Sequence, residues 1–383
     1  MNPAEEPAGL YLHIPFCRSI CPYCDFAVSV ARPAARAALV EDLITEIVSY
    51  PDWKRPFDTV YFGGGTPSML EPEALQRLLS AARSHLPVAG DARIYLEVNP
   101  EDANAERAAA WRTLGVGTVS LGVQSFVTSE LRRLGRHHRP ERARAAVECC
   151  LEAGFATVSA DLIFGLHDQT AAQWVHSLKT LIALAPQHIS CYQLTIHEGT
   201  TFGRWRARGK LIEMPETQQA THFALTHRLL AEAGWRAYEV SNFAAAPEHR
   251  SRHNRKYWRH VPYLGLGPSA HSFDGRSRWW NLRDAKAYGE ALRAARRPRA
   301  GIERLSDADL ALETVMLGLR TTEGIDLDAF RARFGIDLVE RNRALVDELG
   351  ERGYLRNAGT RLAPTVKGLA VADGLASRLR LAD

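Results

Sequence analysis

Long apolar runs are missing from this chain of 383 residues: none approaches the ~18 residues that a membrane-crossing helix needs. No charged-then-apolar leader opens it either. The expectation is a cytoplasmic protein with no membrane span. An excess of one charge is missing too. Lys and Arg number 48 against 44 Asp and Glu, and the +4 balance is spread along the chain, too little to argue for nucleic acid. Cysteine is sparse, six in all, which fits a reducing compartment better than a disulfide framework. Apolar residues are plentiful at 46%, with 24% charged, enough for a large core in a chain long enough for two domains.

Three of the six cysteines carry the main signal. Cys17, Cys21 and Cys24 stand at C-x3-C-x2-C directly after the apolar run Leu10-Tyr11-Leu12-His13-Ile14-Pro15-Phe16. Three thiolates on one short loop can hold three irons of a [4Fe–4S] cluster and leave the fourth iron open, whereas electron-transfer clusters usually take four cysteines. A zinc loop would want a further Cys or His close by. The continuation Asp25-Phe26-Ala27-Val28 offers none, and His13 reads as a strand residue. Cys149 and Cys150 continue a helical stretch and Cys191 lies in an apolar strand, so these read as small core residues.

Through residue 240 short apolar runs alternate with helical patterns. Strands are expected over 10–16, 58–63, 92–98, 117–123, 157–164 and 188–196, and helices over 36–50, 72–86, 103–114, 171–183 and 217–233. Strands apolar on both faces imply a parallel sheet covered by helices. Six β–α units are two short of a closed eight-unit barrel, so the expected α/β fold is a partial (β/α)6 barrel, open on one side. In such sheets the site gathers at the carboxyl ends of the strands. The cysteine loop follows strand one, a glycine run follows strand two, Glu97 and Gln124 end strands three and four, and Asp161 and Tyr192 fall within strands five and six.

The blocks at those strand ends are Tyr61-Phe62-Gly63-Gly64-Gly65-Thr66-Pro67-Ser68, Tyr95-Leu96-Glu97-Val98-Asn99-Pro100, Leu121-Gly122-Val123-Gln124-Ser125-Phe126 and Asp161-Leu162-Ile163-Phe164-Gly165-Leu166. With the cysteine loop and its aromatic Tyr23, they resemble the radical S-adenosylmethionine (radical SAM) superfamily. Within it they resemble the family of oxygen-independent coproporphyrinogen III dehydrogenases and their relatives. The resemblance spans nearly the whole chain. It implies a [4Fe–4S] cluster on Cys17, Cys21 and Cys24, and S-adenosylmethionine contacts at Tyr11, Gly64, Gly65, Thr66, Glu97, Gln124, Arg136 and Asp161. The side chains suit that ligand. Glycines let backbone approach closely, Glu97, Gln124 and Asp161 are acceptors for ribose hydroxyls and an ammonium, and Arg136 can take a carboxylate through its planar fork.

After residue 240 the rhythm stops and His253-Asn254-Arg255-Lys256-Tyr257-Trp258 appears among further arginines. Read from its residues alone, this is an amphipathic loop with a packed aromatic pair, or a heme-binding segment. In the second reading His253 meets the iron, Tyr257 and Trp258 stack on the porphyrin, and the basic residues pair with its propionates. An HNxxYW motif at this place resembles the heme-chaperone branch of the family. Two departures from the dehydrogenase branch point the same way: Phe26 stands where that branch has a further cysteine, and only 16 residues precede Cys17, the first nine reading as a flexible start.

The expected organisation is a radical SAM core over 1–240, a connecting segment over 241–300 ending in a linker at 297–304, and a C-terminal domain over 301–383. Helices expected over 308–319 and 338–349, a hairpin at 353–365 and a closing helix over 366–379 resemble a winged helix, read as a scaffold since no basic recognition helix stands out. The expected function is a heme chaperone rather than an enzyme, passing heme to an acceptor haemoprotein such as one of the respiratory chain, with an electron donor for the cluster. The competing reading is a coproporphyrinogen III dehydrogenase that decarboxylates its substrate oxidatively by radical chemistry.

Overall fold

The computed structural model describes residues 5–30 and 32–381. Met1–Ala4 of the expected flexible start lie outside the described residues, while Ala8 and Gly9 already belong to the first strand. Six parallel strands, β1 (Ala8–Ile14), β2 (Phe57–Gly64), β3 (Val88–Val98), β4 (Val116–Gln124), β5 (Thr157–Phe164) and β6 (His188–Gln193), pair in sequence order. Helices Pro33–Val48, Pro72–His85, Ala105–Thr113, Pro140–Glu152, Ala171–Leu184 and Glu216–Glu232 follow the successive strands. Pro at the first turn starts three of them, and Asn104 and Thr170 cap two others through side-chain oxygens.

The sheet does not close, and it does not stop at residue 240. Strand β8 (Asn242–Ala244) adds antiparallel to β6, and β7 (Arg236–Ala237) adds antiparallel to β8. On the other edge β9 (Tyr263–Leu266) pairs parallel with β1, followed by antiparallel β10 (His271–Phe273), β11 (Ser277–Asn281) and β12 (Arg299–Arg304). The expected connecting segment therefore contributes four strands and the start of a fifth, and the expected linker is the edge strand. Short antiparallel strands carry too little periodicity to stand out in sequence; their partners, remote along the chain, create them.

The strands also differ from the expected all-apolar runs. Even-numbered positions of β1 (Leu10, Leu12, Ile14), β2 (Val60, Phe62) and β3 (Ile94, Leu96, Val98) pack under the helices. The opposite face turns polar or aromatic: Tyr11, Tyr61 and Tyr95 lie in register across β1 to β3, and Glu97, Ser120, Ser159 and His188 across β3 to β6. In a half-barrel that face lines a lumen, so it need not be hydrophobic.

The lumen floor is closed by the helix Arg252–Trp258, which carries the HNxxYW motif. Positions i and i+4 share a helix face, so His253 and Tyr257 both turn inward. His253 is 1% exposed, stacks on Tyr61 with ring centroids 5.0 Å apart, and would collide with a Cβ at Gly9. Around it Arg252 and Lys256 pair with Asp58 at 2.9 and 2.7 Å, and Lys256 Nζ donates to the Pro7 carbonyl at 2.6 Å.

The C-terminal part has its own core around Val315, Ile325, Phe330, Val346 and Leu362, and a three-stranded sheet of Ile325–Asp326, Arg361–Pro364 and Leu355–Asn357. The helix expected over 338–349 breaks at buried Asn342, whose amide donates to Leu338 O and Arg380 O at 2.9 and 3.0 Å and accepts from Arg380 N. The expected closing helix splits into Val366–Leu369 and Ala372–Ala376. No helix among the described residues is long and apolar enough to cross a membrane.

Because His253 fills the floor, His253→Ala should leave a cavity with unpaired Thr59 and Tyr257 hydroxyls and cost about 2–4 kcal/mol. Thermal unfolding measures it; an unchanged midpoint would mean that the ring is not seated there.

Candidate functional site

At the carboxyl ends of the strands a cavity of about 440 Å³ opens among the cysteine loop, the glycine run and the ends of β3 to β6. It gathers Cys17, Cys21, Cys24, Gly64, Gly65, Thr66, Glu97, Gln124, Arg136 and Asp161, residues up to 144 positions apart. Tyr11 is the exception. It does not line the cavity: its ring lies beneath, stacked on Tyr61 at 6.0 Å, and its hydroxyl reaches His13 Nδ1 at 3.1 Å.

His13 fixes the cysteine loop. Its Nε2 lies 2.9 Å from the Ala27 carbonyl, which can only accept, so Nε2 carries the proton and Nδ1 accepts from Tyr11. Cys17 N donates to Ser29 O and Ser29 N to Pro15 O at 3.0 and 2.8 Å, tying the two ends of the loop together. The glycine run supports the loop from below. A Cβ at Gly64 (φ 114°) would strike the His13 ring at 2.5 Å, and one at Gly65 would meet Pro15 and Phe16 backbone at 2.8 Å. Close packing under the cysteine loop thus gives these glycines a second reason for lacking a Cβ, beside their place in the cavity wall.

Burial pushes the Cys17 thiol up and the Cys24 thiol to about 11. Thr66 Oγ1 lies 3.5 Å from Cys17 Sγ and an Arg136 guanidinium nitrogen 3.8 Å from Cys21 Sγ, contacts that favour thiolates. Among the described residues no three Cys, His, Asp or Glu side chains converge as they would around a single metal ion. That is compatible with a cubane, in which each thiolate meets a different iron. Phe26, 62% exposed, stands at the cavity mouth.

The remaining wall is set out for a zwitterion. Two Arg136 N–H groups are held by Asn99 Oδ1 and Gly122 O at 2.7 and 3.0 Å, and its buried Nε has no partner. Burial pushes Glu97 up to about 7, although Tyr61 OH and Gly64 N donate to it at 2.9 and 3.0 Å. Burial likewise pushes Asp161 to about 6, against hydrogen bonds from Ser190 and Ser120. Neither carboxylate has an ion-pair partner among the described residues, so both can meet a ligand's ammonium or hydroxyls. Gln124 sits at φ 65°, strained for a residue with a side chain, where the pairing of β4 with β5 shifts register.

Asn99 was not singled out from sequence, although strand period two places it on the face of Glu97. Nor were Arg18 and Ser68, whose side chains converge on buried Asp102 behind the loop; no local pattern announces such a contact.

The heme-segment residues lie at the other end of the barrel. Both His253 nitrogens are taken, Nδ1 by Thr59 Oγ1 and Nε2 by Tyr257 OH, each at 2.8 Å, and burial pushes the imidazole down to about 3. His253 and Tyr257 therefore offer nothing to a ligand in this conformation. Trp258 alone of the three lines a cleft, one shared with the C-terminal domain.

Residues 11–181 match the family model of the radical SAM superfamily, and residues 305–371 that of the HemN C-terminal domain. A Mycobacterium tuberculosis protein named heme chaperone HemW is 36% identical over 381 residues, 98% of this chain and 95% of its own. Its Synechocystis namesake is 38% identical over 327 residues, 83% and 79% of the two chains. The solved structure of the Escherichia coli coproporphyrinogen III oxidase HemN, described as a radical SAM enzyme, covers 98% of this chain and 90% of that one. Its TM-score is 0.83 at 23% identity, a likeness of fold. On the strength of these identities, the chain belongs to the HemW family of heme chaperones within the radical SAM superfamily.

Proposed function

We propose that this protein is a heme chaperone: it binds heme and passes it to an acceptor haemoprotein, on a radical SAM core that holds a [4Fe–4S] cluster and S-adenosylmethionine. The observation that carries the reading is near-full-length identity of 36% to a relative that bears that name. The core's cofactor side is intact. Cys17, Cys21 and Cys24 would hold the cluster, which with S-adenosylmethionine would supply one-electron chemistry. Arg136 would take the ligand's carboxylate on its free Nε, while Glu97, Asp161 and Gln124 would receive ammonium and ribose hydroxyls. An electron donor would approach at the cavity mouth, beside Phe26.

The deciding experiment is anaerobic reconstitution followed by parallel heme titration and coproporphyrinogen decarboxylation. About one heme per chain without decarboxylation is expected; decarboxylation without heme binding would hand the reading to the dehydrogenase.

For the cofactor site, Asp161→Ala and Gln124→Ala should each weaken S-adenosylmethionine about tenfold or more, the loss of one hydrogen bond to a charged or desolvated group. Iron and sulfide content should stay unchanged. Unaltered binding in both variants would move the site elsewhere.

Glu97 also predicts a pH dependence in the cluster-free protein. Its folded pKa of about 7 lies above its ordinary 4.5, so the folded state binds the proton more tightly. Its contribution is present below pH 4.5 and lost as pH rises to about 7. Glu97→Gln should flatten the fall in stability between pH 5 and 7 by up to about 1.4 kcal/mol per pH unit. Denaturant titrations across that range provide the check, and parallel curves for the two proteins would refute the assignment.

A further inference from the structure

The long sheet ends in an open edge. β12 (Arg299–Arg304) is its last strand, pairs only with β11, and has five of its six residues exposed. At about 3.3 Å per residue it offers roughly 20 Å of backbone. Leu305 N donates to Arg276 O at 2.9 Å. In an antiparallel ladder that direction recurs at every second residue, so Glu303 and Gly301 bond to β11 while Ile302 and Arg304 turn N–H and C=O to the open side.

Side chains alternate between the two faces. Ile302 and Arg304 share a face with Trp279 and Ser277, which stand opposite them in register. There Arg299 and Arg297 lie over the rings of Trp279 and Tyr50 at 5.2 and 4.7 Å. Both rings are buried, and the surface that remains is guanidinium and the side chain of Ile302, 56% exposed. They border a hollow of about 390 Å³.

The charge there is one-sided. Arg296, Arg297, Arg299 and Arg304 make no ion pair among the described residues, whereas the strand's one acid, Glu303, is held by Arg278 at 3.2 Å. Two aspartates line the hollow. Asp274 accepts from Arg276 N and Ser277 N at 2.9 and 2.6 Å, which leaves Asp52. Arginines, and the bulge between Trp280 and Asn281, are means of keeping an edge from pairing with its own copies, since like charges laid side by side repel. The same arginines favour a strand of opposite sign. Exposed Ile302 offers that strand an apolar contact, which edge protection does not call for.

We propose that β12 docks an acidic extended segment of a partner protein by strand addition. The segment bonds to the backbone of Ile302 and Arg304, sets carboxylates against Arg299 and Arg304, and lays an apolar side chain on Ile302. Strand alternation makes its pattern acidic, apolar, acidic at every second position. The hollow shares no residue with the cysteine-loop cavity, and β12 lies four strands beyond β1, so a docked segment does not occupy that cavity. Docking there needs neither heme nor a loaded cluster.

The test is calorimetric titration of the full-length protein, in low salt, with the peptide Thr-Glu-Thr-Val-Thr-Glu-Thr. Saturable binding is expected, at least about tenfold tighter than for the peptide with lysine in place of both glutamates. Arg304→Glu should reverse that preference. Ile302→Pro removes an outward N–H while sparing the bonds to β11, and should weaken the glutamate peptide about tenfold. Methylating alternate backbone nitrogens of the peptide should abolish binding, which attraction between charges alone would survive. No saturable binding up to about 1 mM peptide, equal affinity for the two peptides, or folded variants that bind like wild type would overturn the proposal. A dimer in sedimentation that the glutamate peptide disperses would place a second copy on the edge, and would overturn it too.

Discussion

The seating of one neutral imidazole on a tyrosine stack holds the two ends of this molecule together. His253 on Tyr61, continued by Tyr11 and Tyr95, plugs a half-barrel that would otherwise be open at the bottom. Above this aromatic plug the carboxylates of Glu97 and Asp161 are buried and so desolvated. Glu97 shares a hydrogen bond with the same Tyr61 and sits near pH 7 instead of in the ordinary carboxylate range. A buried acid without a cation is destabilising in the empty protein. The same group becomes an asset when a cationic ligand arrives, since the desolvation has already been met. Floor and rim are therefore one device: packing at the amino ends of the strands tunes electrostatics at the carboxyl ends.

The cysteine loop obeys a similar economy of contacts. The loop from Cys17 to Ser29, with little regular structure, is held by His13 at one side, by glycines beneath, and by the Arg18–Asp102 pair behind. None of these groups is a candidate ligand of iron. Each restricts where the thiols can be, which is what a site for a preformed cluster requires. Strain at Gln124 belongs here too: a left-handed backbone at a strand end turns the side chain over the rim, held by neighbouring strands that would otherwise continue in register.

At the opposite pole, the motif most suggestive of heme is put to structural use. Helical spacing explains the division of labour. His253 and Tyr257, four residues apart, face the barrel; Arg255, Trp258 and Arg259 face the cleft.

Much of this was legible in the sequence, and the physics says why. Six β–α units, their order and the rim positions of Glu97, Gln124 and Asp161 follow from local periodicity and from the rule that parallel strands present their carboxyl ends together, the cysteine loop follows from its spacing, and Arg136 came with the family resemblance. Those are short-range signals, repeated often enough to survive. What tertiary structure alone decided rests on contacts between segments far apart in the chain. The burial of His253 requires Thr59, 194 residues away. Tyr11 is withdrawn from the cavity by Tyr61 and His13, the segment 241–300 becomes sheet because β1 and β6 offer open edges, and the cleft exists only where the C-terminal domain meets the helix after Ser251. A sequence states which side chains are available; which of their polar atoms remain free for a ligand is settled only when distant partners have taken the rest.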